Sequence, residues 1–191
     1  EKHGLTFSRD AQPARLVRRA YFDLVGLPPP PDATNAFLRN TSPDAYERLI
    51  DRLSASPHFG ERWGRHWLDV VGYTDLVSYD GDTTGIFGFI QDRWRYRDYV
   101  IDAFNDDKPY DRFLAEQIAG DELVDWRNAK RYTPEIVATL SATGFWRNAE
   151  DRSESAKELE YKWSFLHNTM QTFGTGVLGL TLRCARCHDH K

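Results

Sequence analysis

Two cysteines and the histidine that follows them are the residues of this chain whose spacing most directly indicates a chemistry. Cys184 and Cys187 are its two cysteines, and with His188 they belong to the sequence CARCH at residues 184–188. Two thiols separated by two residues can each bond one vinyl group of a single haem, and the next residue then offers an imidazole to the iron. The spacing predicts one covalently attached haem c, with His188 as the proximal iron ligand.

Three other interpretations of the cysteine pair stay open at this point. A thioredoxin-like redox pair normally accompanies a βαβ pattern, which the sequence does not show. Zinc could bind the two thiols together with His188 and His190, although no second cysteine pair or distant histidine pair completes a familiar zinc site. The cysteines could also be plain buried thiols.

The second axial position of such an iron decides between electron transfer and the binding of a substrate or gas. His66 is the first candidate for a distal ligand, because helical spacing places it in an apolar stripe with Trp63 and Val70. The alternative is a core histidine bonded to a backbone carbonyl or to Asp69. Met170 is the second candidate, since a thioether is a common ligand of c-type haem, but a methionine at helical spacing also fills cores.

Four further side chains are possible contacts for the haem propionates: Arg95, Arg97, Arg186 and His190. A planar guanidinium matches a carboxylate through two hydrogen bonds. Each could equally be a solvated surface charge. No residue is predicted to be catalytic, and electron transfer is favoured over a catalytic haem site.

The elements that must position these residues are predicted to be helices, because apolar residues recur at helical spacing and alternating strand patterns are scarce. The fold class is mainly α: an irregular multi-helix bundle around one covalently bound haem. Helices are predicted over about residues 10–25, 32–38, 42–53, 56–71, 92–104, 109–119, 133–143 and 155–172.

Glycine-rich segments are predicted to interrupt these helices in two places. Residues 73–89, after the fourth helix, are rich in Gly, Asp and Thr and predict a long loop, of a kind that is usually functional or mobile. Gly174, Gly176 and Gly179 are predicted to end the last helix before the cysteines.

Composition sets limits on the class of protein. The 191 residues, with 40% hydrophobic and 28% charged side chains, predict a single globular domain over residues 1–191. Aromatic residues make up 14% of the chain, which suits a small core and also the walls around a flat apolar cofactor. The net charge of −4 does not indicate nucleic-acid binding. No apolar run reaches the roughly 18 residues that a membrane span needs.

The chain resembles the planctomycete-specific cytochrome family, long catalogued as a domain of unknown function in large secreted proteins that carry haem. The cysteine segment is the most specific part of the likeness. The matching segments are residues 18–24, 26–29, 42–49, 56–63, 66–70, 94–100, 108–111, 116–121, 179–181 and 184–191.

The resemblance implies a c-type cytochrome domain that is a fragment of a larger multidomain protein. Its partners would be neighbouring domains of the same chain and an unknown redox partner, and its role one-electron transfer. The alternative is a haem enzyme, or a gas or redox sensor, with an open distal iron site. Because c-type haem is attached outside the cytoplasm, we expect a periplasmic or cell-surface location and a signal outside this sequence.

Overall fold

The computed structural model describes residues 9–78, 87–89, 91–148 and 158–187. Eight α-helices and two short β-strands lie in this part of the chain. Their bounds are α1 Pro13–Leu24, α2 Pro31–Arg39, α3 Ala45–Ser54, α4 Pro57–Val70, β1 Leu76–Ser78, β2 Phe87–Phe89, α5 Trp94–Asn105, α6 Tyr110–Leu123, α7 Pro134–Ala142 and α8 Glu158–Leu178. Two 3₁₀ helices, Thr143–Arg147 and Arg183–Arg186, follow α7 and α8.

The mainly α multi-helix architecture is confirmed, but the long loop after α4 is partly wrong. Both ends of that segment form strands, which pair antiparallel with Leu76 opposite Phe89 and Ser78 opposite Phe87. Residues 79–86 lie outside the described part of the chain. Each strand is only three residues long, which is too short for an alternating pattern to be recognised. The Gly-rich composition of the segment therefore predicts a loop.

The contacts of the chain group into two compact units, with the boundary between Arg62 and Trp63 inside α4. Unit 1, up to Arg62, has a small core made by α1 and α3, in which Val17, Ala20, Leu49 and Leu53 are buried. Leu49 and Leu53 are four residues apart and therefore lie on the same face of α3. That residues 1–191 fold as one domain stays a prediction.

Unit 2, from Trp63 onward, has a larger and strongly aromatic core. Its buried members are Val71, Tyr96, Tyr99, Val100, Ala103, Phe113, Ala142 and Phe145. They come from Val71 just after α4, from α5, α6 and α7, and from the first 3₁₀ helix. Rings from different elements meet edge-on or stacked, as Trp67 and Phe113 do with centroids 5.1 Å apart. This core fixes the positions of α4 and α8, which carry candidate ligands.

The predicted end of the last helix before Gly174 is wrong, because α8 continues to Leu178. Both interior glycines lie where the helix is closely approached. A Cβ on Gly174 would come within 2.9 Å of the Leu182 side chain, and one on Gly176 within 3.3 Å of Cγ1 of Val70. These glycines therefore serve close packing rather than a helix end, and the reversal comes at Gly179, whose φ is +65°.

The helix starts also differ from the sequence in detail. α1 begins at Pro13, later than the predicted residue 10, and Gln12 is the residue before it. Proline suits the first helical position because its missing N–H would have no partner in the helix. The first residues of the other helices differ from the predicted ones by similarly small amounts. The buried faces of the helices are therefore a more informative comparison between sequence and structure.

Candidate functional site

The two cysteines lie on one tight turn. The 3₁₀ helix Arg183–Arg186 together with Cys187 is called the cysteine turn below, and the Cys187 amide donates to the Cys184 carbonyl at 3.3 Å. A 3₁₀ helix has three residues per turn, so side chains three apart lie above one another. Both thiols are exposed and neither is in a disulfide. The sequence spacing thus places two reactive sulfurs on one side of a short turn.

The cysteine turn is fastened to the end of α8. After the reversal at Gly179, the Leu180 amide donates to the Gly174 carbonyl at 2.8 Å, and the Leu182 side chain packs against Gly174. The Ala185 amide then donates to the Leu182 carbonyl at 3.1 Å, which begins the turn. The position of the thiols is therefore set by the last turns of α8.

Helix α8 carries one apolar stripe with two different surroundings. Its members, at spacings of three, four, three and four, are Trp163, Leu166, Met170, Phe173 and Val177. Phe173 and Val177 pack against the core of unit 2. The first three have 65%, 42% and 49% of their surface exposed. The three side chains nearer the start of α8 are therefore covered less than the two nearer the cysteines, and these three include the candidate ligand Met170.

The predicted buried stripe of α4 is wrong for three of its members, since Trp63, His66 and Val70 are exposed. The imidazole of His66 meets the Trp63 ring edge-on, with centroids 5.5 Å apart. The buried side of α4 in unit 2 is instead centred on Gly64 and Val71. Gly64 has no side chain to signal burial, although an added Cβ would lie 3.4 Å from Val100 of α5. Helical spacing of large apolar residues therefore assigns the buried side to the neighbouring face of the helix.

The guanidinium groups proposed for the propionates have carboxylate partners within the chain. Arg95 Nε lies 3.2 Å from Asp92. Arg97 pairs with Asp98 at 2.9 Å and with Asp75 at 3.5 Å. The hydrogen bond with Asp98 raises the pKa of Arg97, with weaker help from Asp75. Arg186 is exposed on the cysteine turn.

His188 and His190 lie outside the described residues. The haem contacts of these four propionate candidates and the iron ligation by His188 stay predictions. Cys184 and Cys187 lie together on the cysteine turn, and Met170 lies on α8, the helix that ends beside this turn. No contact among the described residues joins His66 to the cysteine turn.

A buried polar network in unit 2 was missed by reasoning from residue patterns. The Trp67 indole N–H donates to Gln117 Oε1 at 2.9 Å and to the Tyr96 hydroxyl at 3.1 Å, and Tyr96 donates to Gln117 Oε1 at 2.7 Å. Gln117 Nε2 donates to the Phe113 carbonyl at 3.1 Å. A glutamine inside a helix gives no sequence signal of burial, so only its packing partners reveal the network.

A second buried polar group lies next to Gln117 on α6. Glu116 accepts from the Tyr99 hydroxyl at 2.9 Å, from Lys108 at 2.6 Å and from Arg112 at 2.5 Å. Burial alone would raise the pKa of the Glu116 carboxyl, but the hydrogen bonds from Lys108, Arg112 and Tyr99 outweigh it, so the pKa lies below its usual value. Glu116 is therefore a fixed negative charge of the core.

The described residues lack two other kinds of feature, a cluster of metal ligands and a membrane-spanning helix. Within the described ranges, no cluster of three or more His, Cys, Asp and Glu side chains could hold a metal ion. None of the helices in the same part of the chain combines the length and apolar character of a membrane span.

Comparison with known proteins gives one positive result. No curated protein matches the chain. No solved structure matches it either. A family model does match, over residues 1–191, and its description reads "PSCyt2: Protein of unknown function (DUF1549)". Because that match covers the whole sequence, the chain belongs to the PSCyt2 family.

Proposed function

We propose that this chain is a mono-haem c-type cytochrome domain, in which Cys184 and Cys187 bind the haem covalently and His188 binds its iron. The observation that carries the proposal is the cysteine turn, where the two thiols of CARCH are free, exposed and three residues apart on one 3₁₀ turn. Each S–H would add across one vinyl group, so two thioether bonds form without an oxidant.

The exposed apolar side chains of α8 fit a flat apolar cofactor. Trp163, Leu166 and Met170 continue the stripe that is half-buried at Phe173 and Val177, and they expose a large apolar surface in the described part of the chain. Large exposed apolar surfaces commonly mark ligand or partner sites. Arg183 and Arg186 flank the cysteines and are exposed, which suits the carboxylates of a haem.

The position of Met170 favours it as the distal ligand. Met170 precedes Gly174 by one helical turn on α8, and Gly174 is where Leu182 and the cysteine turn are anchored. A long thioether side chain one helical turn from this anchor point suits an iron ligand for a haem bound at the cysteine turn. The case for His66 rests on a place in a buried apolar stripe, and that support is lost because His66 is exposed. His66 remains the second candidate.

A haem with two protein ligands favours one-electron transfer over catalysis. We therefore propose an electron-transfer role inside a larger extracytoplasmic protein, with neighbouring domains and a redox partner as the donor and acceptor. An open distal position would instead favour a haem enzyme or sensor. The two are separated by the optical spectrum, because six-coordinate low-spin iron fits transfer, whereas high-spin iron that binds carbon monoxide fits the alternative.

The test of covalent attachment is the mass of the denatured protein after expression with the haem-attachment machinery. We expect one added haem per chain, retained in acid acetone. The double variant Cys184→Ser, Cys187→Ser should carry none, whereas Arg183→Ala, a matched change on the same turn, should keep it. Release of all colour into acid acetone would contradict covalent haem, and a colourless protein with one zinc per chain would favour the metal interpretation.

A separate measurement tests the compartment. The protein in its native host should be found, loaded with haem, in the extracytoplasmic fraction after loss of a leader. Haem-loaded protein in the cytosolic fraction, with an unprocessed N-terminus, would contradict the proposed location without bearing on the haem itself.

A further inference from the structure

A continuous row of aromatic rings crosses the core of unit 2. It begins at Trp146, which is half-buried, and passes to Phe145 with ring centroids 5.1 Å apart and then to Trp67 at 6.4 Å. The Trp67 N–H donates to the Tyr96 hydroxyl at 3.1 Å, and the Tyr96 ring lies 6.1 Å from that of Tyr73. Tyr73 is again half-buried. These five residues are called the aromatic row.

The composition of the aromatic row suits the movement of single electrons. Indole and phenol are the side chains most easily oxidised by one electron apart from sulfur groups, and the row has two of each, separated by no more than one phenylalanine. Its middle members are shielded, since Tyr96 and Phe145 are almost completely buried. Both ends reach solvent, so an electron could leave at one end and be replaced at the other.

The proton acceptors beside the aromatic row determine which of its residues holds the radical after oxidation. A phenol that loses an electron becomes a strong acid and must give up its proton. The Tyr96 hydroxyl donates to the amide oxygen of Gln117, which is too weak a base to take that proton. The Tyr73 hydroxyl donates to a carboxylate oxygen of Asp75, which can take it. A stable neutral radical is therefore expected at Tyr73.

A branch toward a second tyrosine ends at a poorer proton acceptor. Trp67 contacts Phe113, which stacks on Tyr99 with centroids 5.9 Å apart, and Tyr99 donates to Glu116. Burial opposes the charged form of Glu116, but its hydrogen bonds with two cationic side chains prevail and lower its pKa. Asp75 makes a longer contact with Arg97, at 3.5 Å, and is partly exposed. The Tyr73 end is the better base.

We propose that the aromatic row is a route for one-electron oxidation, which enters at Trp146 and ends at Tyr73, with Asp75 accepting the phenolic proton. An outer-sphere oxidant removes one electron from Trp146 and is itself reduced. Electrons shift along the row until Tyr73 has lost one electron and its proton has passed to Asp75. A small reductant such as ascorbate then returns one electron and one proton to Tyr73, and Asp75 releases the proton that it had accepted to water. The route goes beyond the proposed haem chemistry and does not depend on it.

Pulse radiolysis of the full chain in azide solution tests the route. The azidyl radical oxidises tryptophan and becomes azide, and the tryptophan and tyrosine radicals have distinct absorption bands. We expect the tryptophan signal to decay into the tyrosine signal in a first-order phase whose rate is independent of protein concentration. Tyr73→Phe should lose that phase, whereas Tyr110→Phe, a change at an exposed tyrosine outside the row, should keep it.

Asp75→Asn supplies a second variant that retains the phenol and removes its base. The first-order phase should become slower, with circular dichroism used to verify the fold of each variant. A wild-type rate and amplitude in Tyr73→Phe would overturn the route. A rate that rises with protein concentration would also overturn it, because the transfer would then occur between molecules. An unchanged rate in Asp75→Asn would overturn the role of the carboxylate.

Discussion

Replacing Glu116 by glutamine tests whether the charged group in the core of unit 2 stabilises the fold. The side chain is 4% exposed and accepts hydrogen bonds from Lys108, Arg112 and Tyr99. Glutamine has nearly the same shape but carries no charge. Its amide nitrogen is a donor, so at least one of the three donors that face Glu116 loses its acceptor.

The expected loss follows from the partners. A hydrogen bond to a charged group contributes about 1.5–3 kcal/mol, and breaking a fully buried ion pair costs about 3–5 kcal/mol. The side chain of Lys108 is 22% exposed and that of Arg112 is 50% exposed, so solvent screens part of the interaction. We therefore expect Glu116→Gln to lower the free energy of unfolding at neutral pH by about 2–4 kcal/mol. For a chain of this size each kcal/mol lowers Tm by roughly 2–4 °C.

The pH dependence of this difference has a definite sign. In the unfolded chain the Glu116 carboxyl titrates near about 4.3, and in the folded chain its pKa is lower. The stabilisation by the charged form is therefore complete above the unfolded-state pKa and is lost as pH falls through the folded-state pKa. The free energies of unfolding of wild type and Glu116→Gln should therefore converge in acid. Data at neutral pH alone would not reveal this convergence.

Urea unfolding followed by circular dichroism, repeated at a series of pH values, measures both quantities. Glu122→Gln is the matched control, because Glu122 lies on the same helix and is exposed, and it should stay within about 0.5 kcal/mol of wild type. The reasoning is refuted if Glu116→Gln behaves like Glu122→Gln at neutral pH. A loss of full size that does not shrink in acid would show that packing, and not charge, is responsible.

Four further substitutions probe packing and the proposed iron ligand. Gly120→Ala places a Cβ within 2.3 Å of the Thr139 carbonyl oxygen, so it should lower the free energy of unfolding in urea by about 1–3 kcal/mol. Gly64→Ala places its Cβ 3.4 Å from the nearest atom and should not lower that free energy. A loss of stability in Gly64→Ala would contradict the described packing of α4. In the haem-loaded protein, Met170→Leu should convert a six-coordinate spectrum to a five-coordinate high-spin one while the haem stays attached. His66→Ala should leave the spectrum of the haem-loaded protein unchanged, and the opposite pair of results would assign the iron to His66.

The sequence predicted elements well where apolar spacing and burial coincide. Leu49 and Leu53 of α3 face the core of unit 1, and the mainly α class followed from such stripes. It failed where glycine carried the information. Gly174 and Gly176 suggest a helix end, but the helix continues because both positions need close packing. A missing side chain can mean a break or a contact, and local sequence does not distinguish them.

The same ambiguity explains the error on α4. Helical spacing groups Trp63, His66 and Val70 with the buried side, whereas the structure rotates the buried face toward Gly64 and Val71. Large aromatic residues attract the assignment of a core face, yet here the buried residue is Gly64, where an added Cβ would lie 3.4 Å from Val100 of α5. Candidate ligands chosen from apolar stripes inherit this error directly.

Helix α8 shows what periodicity can and cannot establish about a site. One uninterrupted stripe runs from Trp163 to Val177, and nothing in its spacing changes along the way. Phe173 stacks on Trp146 with centroids 5.8 Å apart and so belongs to the core, whereas Met170, three residues earlier, is half exposed. The stripe predicts that all of these side chains prefer apolar surroundings. Only the packing of the described residues shows that the end of the stripe is covered by the core of unit 2 while its beginning is exposed, which is why a cofactor is the natural proposal for the beginning alone.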